Sequence, residues 1–308
     1  MSLLPGFEHT LCPLCGSDNS RVALKRRDLM LASEGEFTVC QCQECSHQYL
    51  NPRPTREAMR QHYQGDYDQH IVAGQASKLK RLDQSYGHWK RLRLIERYIP
   101  GGVLLDVGCG GGGFLAEAAK RPHWRVIGIE PSEATAIACR EQLGLNVLAS
   151  TWEEADLPSE YADVITMWEV LEHLHDPAAA ISKAWRLLKP GGLLVISTPN
   201  RDSLDARIFG PYWIGYELPR HLQIFRLADV QSLLQASGFE VIATPPPDGA
   251  FFAFNTSLRF YLRHRDAPAW LQKAIFSLPL RAAETPFFWL SSRLRLSSSL
   301  TTVARKRL

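Results

Sequence analysis

Residues Leu104 to Phe114 read LLDVGCGGGGF. Leu104, Leu105 and Val107 form an apolar run of strand type, and the glycines after it leave a loop whose backbone can come close to a ligand. LAEAAKR follows as a helical segment, and WRVIGIEPS, Trp124 to Ser132, is a second apolar strand ending at Glu130. Strand, glycine loop, helix, strand and acid in that order predict a doubly wound α/β sheet with its ligand at the carboxyl ends of the strands.

The loop satisfies two fingerprints. Gly108, Gly110 and Gly113 spell G-x-G-x-x-G, which offers a helix N-terminus to a pyrophosphate. Asp106, Gly108, Gly110 and Gly112 spell D-x-G-x-G-x-G. A carboxylate two residues ahead of the first glycine repels a pyrophosphate but suits a cationic ligand. S-adenosylmethionine (SAM) carries a sulfonium and an ammonium and no phosphate, so the loop reads as a SAM site. Glu130 is placed to accept from both ribose hydroxyls.

Cys12-Pro-Leu-Cys15 and Cys42-Gln-Glu-Cys45 are two C-x-x-C knuckles. Each turn points two sulfurs at one place, and four thiolates complete a closed tetrahedral site, so the ion is a structural zinc. EFTVCQC, residues 36 to 42, alternates like a strand between the knuckles. Cys12, Cys15, Cys42 and Cys45 are the expected ligands. Ser46 stands where glycine usually follows a knuckle, and Cys40 and His47 are nearby substitutes.

A chain of 308 residues with 45% hydrophobic and 22% charged residues is of ordinary globular composition. Its net charge of +3 excludes nucleic-acid binding by bulk charge. The N-terminus lacks the pattern of a signal peptide, and no apolar run approaches the roughly 18 residues of a membrane span. The expectation is a cytoplasmic protein with reduced cysteines, at most peripheral at the inner face of the membrane.

LLDVGCGGGGF, GIEPS, STWEEADLPSEYADVITMWEVLEHLHDP and LLKPGGLLVISTPN resemble, in order and spacing, the successive motifs of class I SAM-dependent methyltransferases, over residues 100 to 200. The ribbon followed by NPRP, Asn51 to Pro54, is similar to a bacterial subgroup associated with sugar and surface-glycan methylation. The resemblance implies that Gly108 and Gly110 approach the amino-acid part of SAM, that Asp106 orders the loop and that Glu130 binds the ribose. It also implies that Thr151 and Trp152 line the adenine pocket. Tyr63 and Tyr67 resemble aromatics that close over SAM; packing of a helix on the sheet is the alternative.

Glu169, Glu172 and His173 form E-x-x-E-H at the end of the fourth strand. A similar cluster in ubiquinone-pathway O-methyltransferases is associated with a divalent metal. The reading adopted is that Glu172 and His173 fix the loop while Glu169 contacts substrate. FGPYWIGYELPRHLQIF, Phe209 to Phe225, carries His221, whose near-neutral reference pKa suits a general base; a backbone-bonded structural histidine is its rival.

Residues 247 to 297 carry ten aromatics from Phe251 to Trp289 and seven arginines or lysines against three acids, a local excess of +4. Three uses compete: a lid or dimer face, a membrane-surface element, or an RNA contact. The expected organisation is a zinc ribbon over 1–53, a helical cap over 54–99, a SAM-binding domain over 100–246 plus 298–308, and the helical insertion 247–297 before an antiparallel seventh strand. The expected activity is methyl transfer to a small-molecule or glycan acceptor, a nucleotide- or lipid-linked sugar included. The alternatives are an RNA methyltransferase and a SAM-binding protein without turnover.

Overall fold

The computed structural model describes residues 5–63, 78–246 and 250–307. The N-terminal part contains β1 (Phe7–Glu8), β2 (Ser20–Arg26), β3 (Phe37–Cys42), β4 (Gln48–Leu50), β5 (Arg53–Pro54), α1 (Arg56–Met59) and α2 (Lys78–Glu96). There follow β6 (Gly102–Val107), α3 (Gly113–Ala119), β7 (Trp124–Glu130), α4 (Glu133–Leu143), β8 (Val147–Ala149), β9 (Ala162–Trp168), α5 (Pro177–Leu187) and β10 (Leu188–Pro199). The chain closes with α6 (Leu204–Phe209), β11 (Gln223–Ile224), α7 (Leu227–Ala236), β12 (Phe239–Ala243), α8 (Ala250–His264), α9 (Ala269–Ala274), α10 (Leu278–Arg293) and β13 (Ser299–Lys306).

The central sheet has the order β12-β13-β10-β9-β6-β7-β8. Pairing is parallel from β10 to β8, and β13 runs antiparallel to both of its neighbours. This is the expected α/β sheet with a reversed last strand. Helices cover both faces, which is why β6 reads as a continuous apolar run. Leu105 and Val107 pack on one side with Ile127, Ile165 and Ile196, while Leu104 packs on the other with Val164 and Val195. Leu92 and Ile95 of α2 enter that second layer against Phe114 and Leu115.

Local sequence fixes the helix ends on the ligand side. Ser132 accepts from the Thr135 amide at 3.3 Å to start α4, which ends at Gly144 in the left-handed region (φ +64°). Asp176 accepts from the Ala179 amide at 2.9 Å with Pro177 in the first turn of α5.

The ribbon sheet takes its last strand from elsewhere in the chain. It has the order β11-β4-β3-β2, so two residues from the far side of the chain supply the fourth strand. Around this joint His47 lies between Gln223 (3.0 Å) and Asp229 (3.4 Å). Arg226 donates to the Cys45 carbonyl and Arg201 to the Ser46 carbonyl, both at 2.8 Å. Helices α8 to α10 form the insertion. Phe254, Leu258 and Tyr261 pack against Phe209, Trp213 and Leu218 of the segment that leads to His221.

Candidate active site

The glycine loop takes the shape its residues allow. Gly108, Gly110 and Gly112 have φ of +63°, +51° and +72°, the left-handed region open to glycine. A Cβ on Gly108 would lie 2.7 Å from Val170 Cγ2. Glu130 spans the loop: its carboxylate accepts from the Gly110 and Ser132 amides, both at 2.9 Å. Asp106 is buried beneath and accepts from the Thr166 hydroxyl at 2.5 Å. Burial pushes its carboxyl up to about 7, against the lowering effect of Thr166 and Arg91.

A second group gathers at the carboxyl ends of β9 and β10. Glu169, at φ +56°, accepts from the Ser197 hydroxyl at 2.8 Å. Burial raises its carboxyl and that of Glu172, and Glu169 pushes Glu172 further up. Glu172 is fully buried, and neither of its carboxylate oxygens has a hydrogen-bond partner among the described residues. His173 and His221 meet edge to face with ring centroids 4.7 Å apart.

Each of these imidazoles has its Nδ1 on a backbone carbonyl, His173 on Arg220 at 3.1 Å and His221 on Gly215 at 2.8 Å. A carbonyl only accepts, so both Nδ1 atoms carry the proton and both Nε2 atoms keep the lone pair. Burial first, then the neighbouring His221, drives His173 down to about 3, and burial drives His221 down to about 4. Both rings are therefore neutral at physiological pH. One ligand atom from each of Glu172, His173 and His221 lies within 4.8 Å of the others. A buried carboxyl, raised by burial and Glu169 against the lowering effect of the Thr198 hydroxyl, beside two neutral imidazoles whose other nitrogens are held by carbonyls is a donor set that suits a divalent cation.

The knuckle cysteines form a separate cluster. The Sγ atoms of Cys12, Cys15, Cys42 and Cys45 all lie within 4.8 Å of one another. Cys12 is 3.5 Å from Cys45, and Cys15 is 3.5 Å from Cys42. Four converging thiols suit zinc. Cys40 and His47 turn elsewhere, Cys40 to the Asn51 carbonyl and His47 to Gln223 and Asp229. Ser46 adopts φ +63°, matching Gly16 at +73° after the first knuckle.

Asp106 at the end of β6 and Glu130 at the end of β7 thus flank the loop of Gly108, Gly110 and Gly112, and Glu169 and His221 share the neighbouring cluster. Thr151 caps its own turn, accepting from the Glu154 amide at 3.2 Å. The Trp152 ring sits in the core, its indole N–H donating to the Ala180 carbonyl at 3.2 Å. Tyr67 lies outside the described residues. A cleft of about 700 Å³ lined by Glu8, Arg53, Arg56, His175 and Asp176 touches neither the glycine loop nor the cluster.

Sequence reasoning missed Arg91. Its guanidinium lies over Trp168 at 4.6 Å and acts electrostatically on both Asp106 and Glu169. In HWKRLRLIERYI nothing separates it from the exposed Arg93 except the helical phase set by Leu92 and Ile95. Glu217 was missed too. It approaches His221 Nε2 at 3.8 Å and receives Arg220 Nε at 3.0 Å, a pairing visible only once the loop is folded.

A family model described as a methyltransferase domain matches residues 80–244. A Mycolicibacterium smegmatis protein named "Probable S-adenosylmethionine-dependent methyltransferase" is 34% identical over 48% of this chain and 56% of its own. The ubiquinone biosynthesis O-methyltransferase of Hahella chejuensis is 38% identical over 40% of this chain and 54% of its own. The chain therefore spans about half the length of these curated relatives. Among solved structures, the [4+2]-cyclase SpnF superposes with a TM-score of 0.54 at 20% identity, covering 83% of this chain and 97% of the cyclase, a likeness of fold. The family match runs from α2 through the glycine loop and the E-x-x-E-H cluster to the end of β12 and takes in more than half of the sequence: the chain belongs to the methyltransferase-domain family.

Proposed function

We propose that the protein is a SAM-dependent methyltransferase acting on a hydroxyl oxygen of a small-molecule acceptor, sugar hydroxyls included. The observation that carries the acceptor half of this reading is the buried Glu172 carboxylate, unpartnered among the described residues, beside the neutral His173 and His221. The name of the Hahella chejuensis relative, an O-methyltransferase of a small molecule, agrees with it.

In this reading Gly108 and Gly110 admit the amino-acid part of SAM, Arg91 faces its carboxylate, Asp106 faces its cationic groups and Glu130 takes the ribose. Thr151 and Trp152 brace the adenine side. Methyl transfer from a sulfonium is an in-line displacement with a neutral leaving group, so the chain mainly aligns donor and acceptor and removes a proton. Glu172, His173 and His221 would hold a divalent cation, whose chemistry is to offset the buried carboxylates and lower the pKa of an acceptor hydroxyl. Glu169 takes the proton, its basicity raised by burial and its orientation set by Ser197. His221, held neutral, is a weak base and serves as a lone-pair donor.

The test is incubation of the purified protein with methyl-labelled SAM and a fractionated extract of its source, with and without a chelator. Label in the organic-soluble or sugar-nucleotide fraction, lost on chelation and in Glu172→Gln, is the expected result. RNase-sensitive label, or labelling indifferent to chelator and to Glu172→Gln, overturns the acceptor reading.

A further inference from the structure

Helix α10 carries apolar residues on both sides. Inward, Phe288 packs against Phe251 and Phe254, Glu284 receives the Asn255 side-chain amide at 3.0 Å and Ser291 is buried, while Arg281 makes a two-armed, solvent-exposed ion pair with Asp83 of α2 at 2.6 and 2.9 Å. Its outward side is apolar. Ala283, Phe287, Leu290 and Leu294 recur at helical spacing on the exposed surface, with Pro286 and Trp289 beside them. Trp289 is 59% exposed, Leu290 52% and Leu294 58%. A helix that only covers its own core keeps its outer side polar; a lid role accounts for Phe254, Phe287 and Phe288, which pack on one another, and leaves Trp289, Leu290 and Leu294 unexplained.

The charges around the stripe select its occupant. Arg293 lies over the Trp289 ring at 4.6 Å, and Arg295 is exposed just past the end of the helix. Across the described part of the insertion, Arg263, Arg265, Lys273, Arg293 and Arg295 are exposed cations against Asp266 as the exposed acid. A second copy meeting this face about a two-fold axis would bring like cations together. A surface that is apolar below and anionic above complements it: aliphatic and phenyl side chains enter the acyl boundary, an indole sits at the headgroup level, and arginines reach the phosphates. No helix among the described residues is long and apolar enough to cross a membrane, so contact of this kind is peripheral.

We infer that the outward face of α10 docks the protein on an anionic phospholipid surface. Flotation of the full-length protein with vesicles of phosphatidylcholine, alone or mixed with phosphatidylglycerol, tests this. The wild type rises with the anionic vesicles and stays down with the neutral ones. The double variant Leu290→Glu and Leu294→Glu, whose exposed positions leave the fold intact, lowers the bound fraction at least about tenfold. Arg293→Gln with Arg295→Gln, or raised salt, lowers it as well. Wild-type protein that stays down with both vesicle types overturns the inference, and so does flotation unaffected by Leu290→Glu and Leu294→Glu. A dimer in light scattering that these two substitutions dissociate, with no flotation, assigns the stripe to a second copy instead.

Discussion

Asp28 of the N-terminal ribbon and Arg220 of the loop before β11 form a fully buried, two-armed ion pair, with Nη1 to Oδ2 at 3.0 Å and Nη2 to Oδ1 at 3.1 Å. The partners are 192 residues apart, and Arg220 immediately precedes His221. Asp28 also receives the Met30 amide and the Ser33 hydroxyl, both at 2.8 Å. Burial works against the charge on Asp28, but the Arg220 guanidinium, with the Met30 amide and the Ser33 hydroxyl, outweighs it and holds the carboxyl below its usual range. Asp28→Ala removes the two-armed partner and leaves the buried Arg220 to its single contact with Glu217, so it is expected to cost about 3 kcal/mol, read as a shift in the denaturant midpoint. Asp28→Ala combined with Arg220→Met should recover part of that loss, because the buried guanidinium is gone and the charge left behind is that of Glu217, which keeps some contact with water.

The state of Asp106 should appear in SAM affinity. Its folded pKa of about 7 exceeds the ordinary 3.8, so the folded protein holds a proton between those values that the unfolded chain releases. Asp106 therefore contributes stability below pH 3.8 that is lost as the pH rises toward 7. A cationic ligand prefers the ionised carboxylate. Affinity for SAM should then rise with pH from 5.5 to 7 by at most about tenfold per unit. Titration calorimetry across that range should show the slope in the wild type and a flat line in Asp106→Asn.

Gly108→Ala should lose SAM binding through the backbone. The new methyl would sit in a left-handed conformation at a cost of about 1–2 kcal/mol and 2.7 Å from Val170. If SAM affinity and thermal stability both match the wild type, the loop does not have this shape in solution.

His221→Ala should reduce kcat and keep the Kd for SAM, since the ring belongs to the acceptor cluster and not to the glycine loop. The cavity and the freed Gly215 carbonyl should cost about 1–3 kcal/mol. Equal losses in turnover and in SAM affinity would mean that the loop had collapsed.

The parallel strands were legible because a parallel sheet buries both faces of each strand, which leaves runs such as LLDV and ITMW in the sequence, whereas the reversed last strand was expected from the family resemblance and not from such a run. The glycine loop was legible because glycine is the residue that takes its dihedrals freely. The knuckles were legible from spacing alone. The closing of the ribbon sheet by Gln223 and Ile224 was not, since a two-residue strand carries no period. Nor was the pairing of Asp28 with Arg220, which depends on a fold that brings the two ends of the chain together. His221 was found by residue type, but its low basicity comes from burial, which a sequence does not display.

Zinc should reach the acceptor cluster through the same joint. The Cys45 carbonyl receives Arg226, the Ser46 carbonyl receives Arg201, and β4 pairs with β11 two residues after His221. On the proposal that the four thiolates hold a structural zinc, Cys42→Ser removes one ligand from a site whose binding energy would be folding energy. The variant should lose its zinc by elemental analysis and loosen β2 to β4 and the segment 215–224. The glycine loop, built from β6, β7 and α3, has its own core and should still bind SAM. The expected outcome is a protein with near wild-type Kd for SAM and little turnover. A zinc-free variant with full turnover would show that the ribbon leaves the acceptor cluster unaffected.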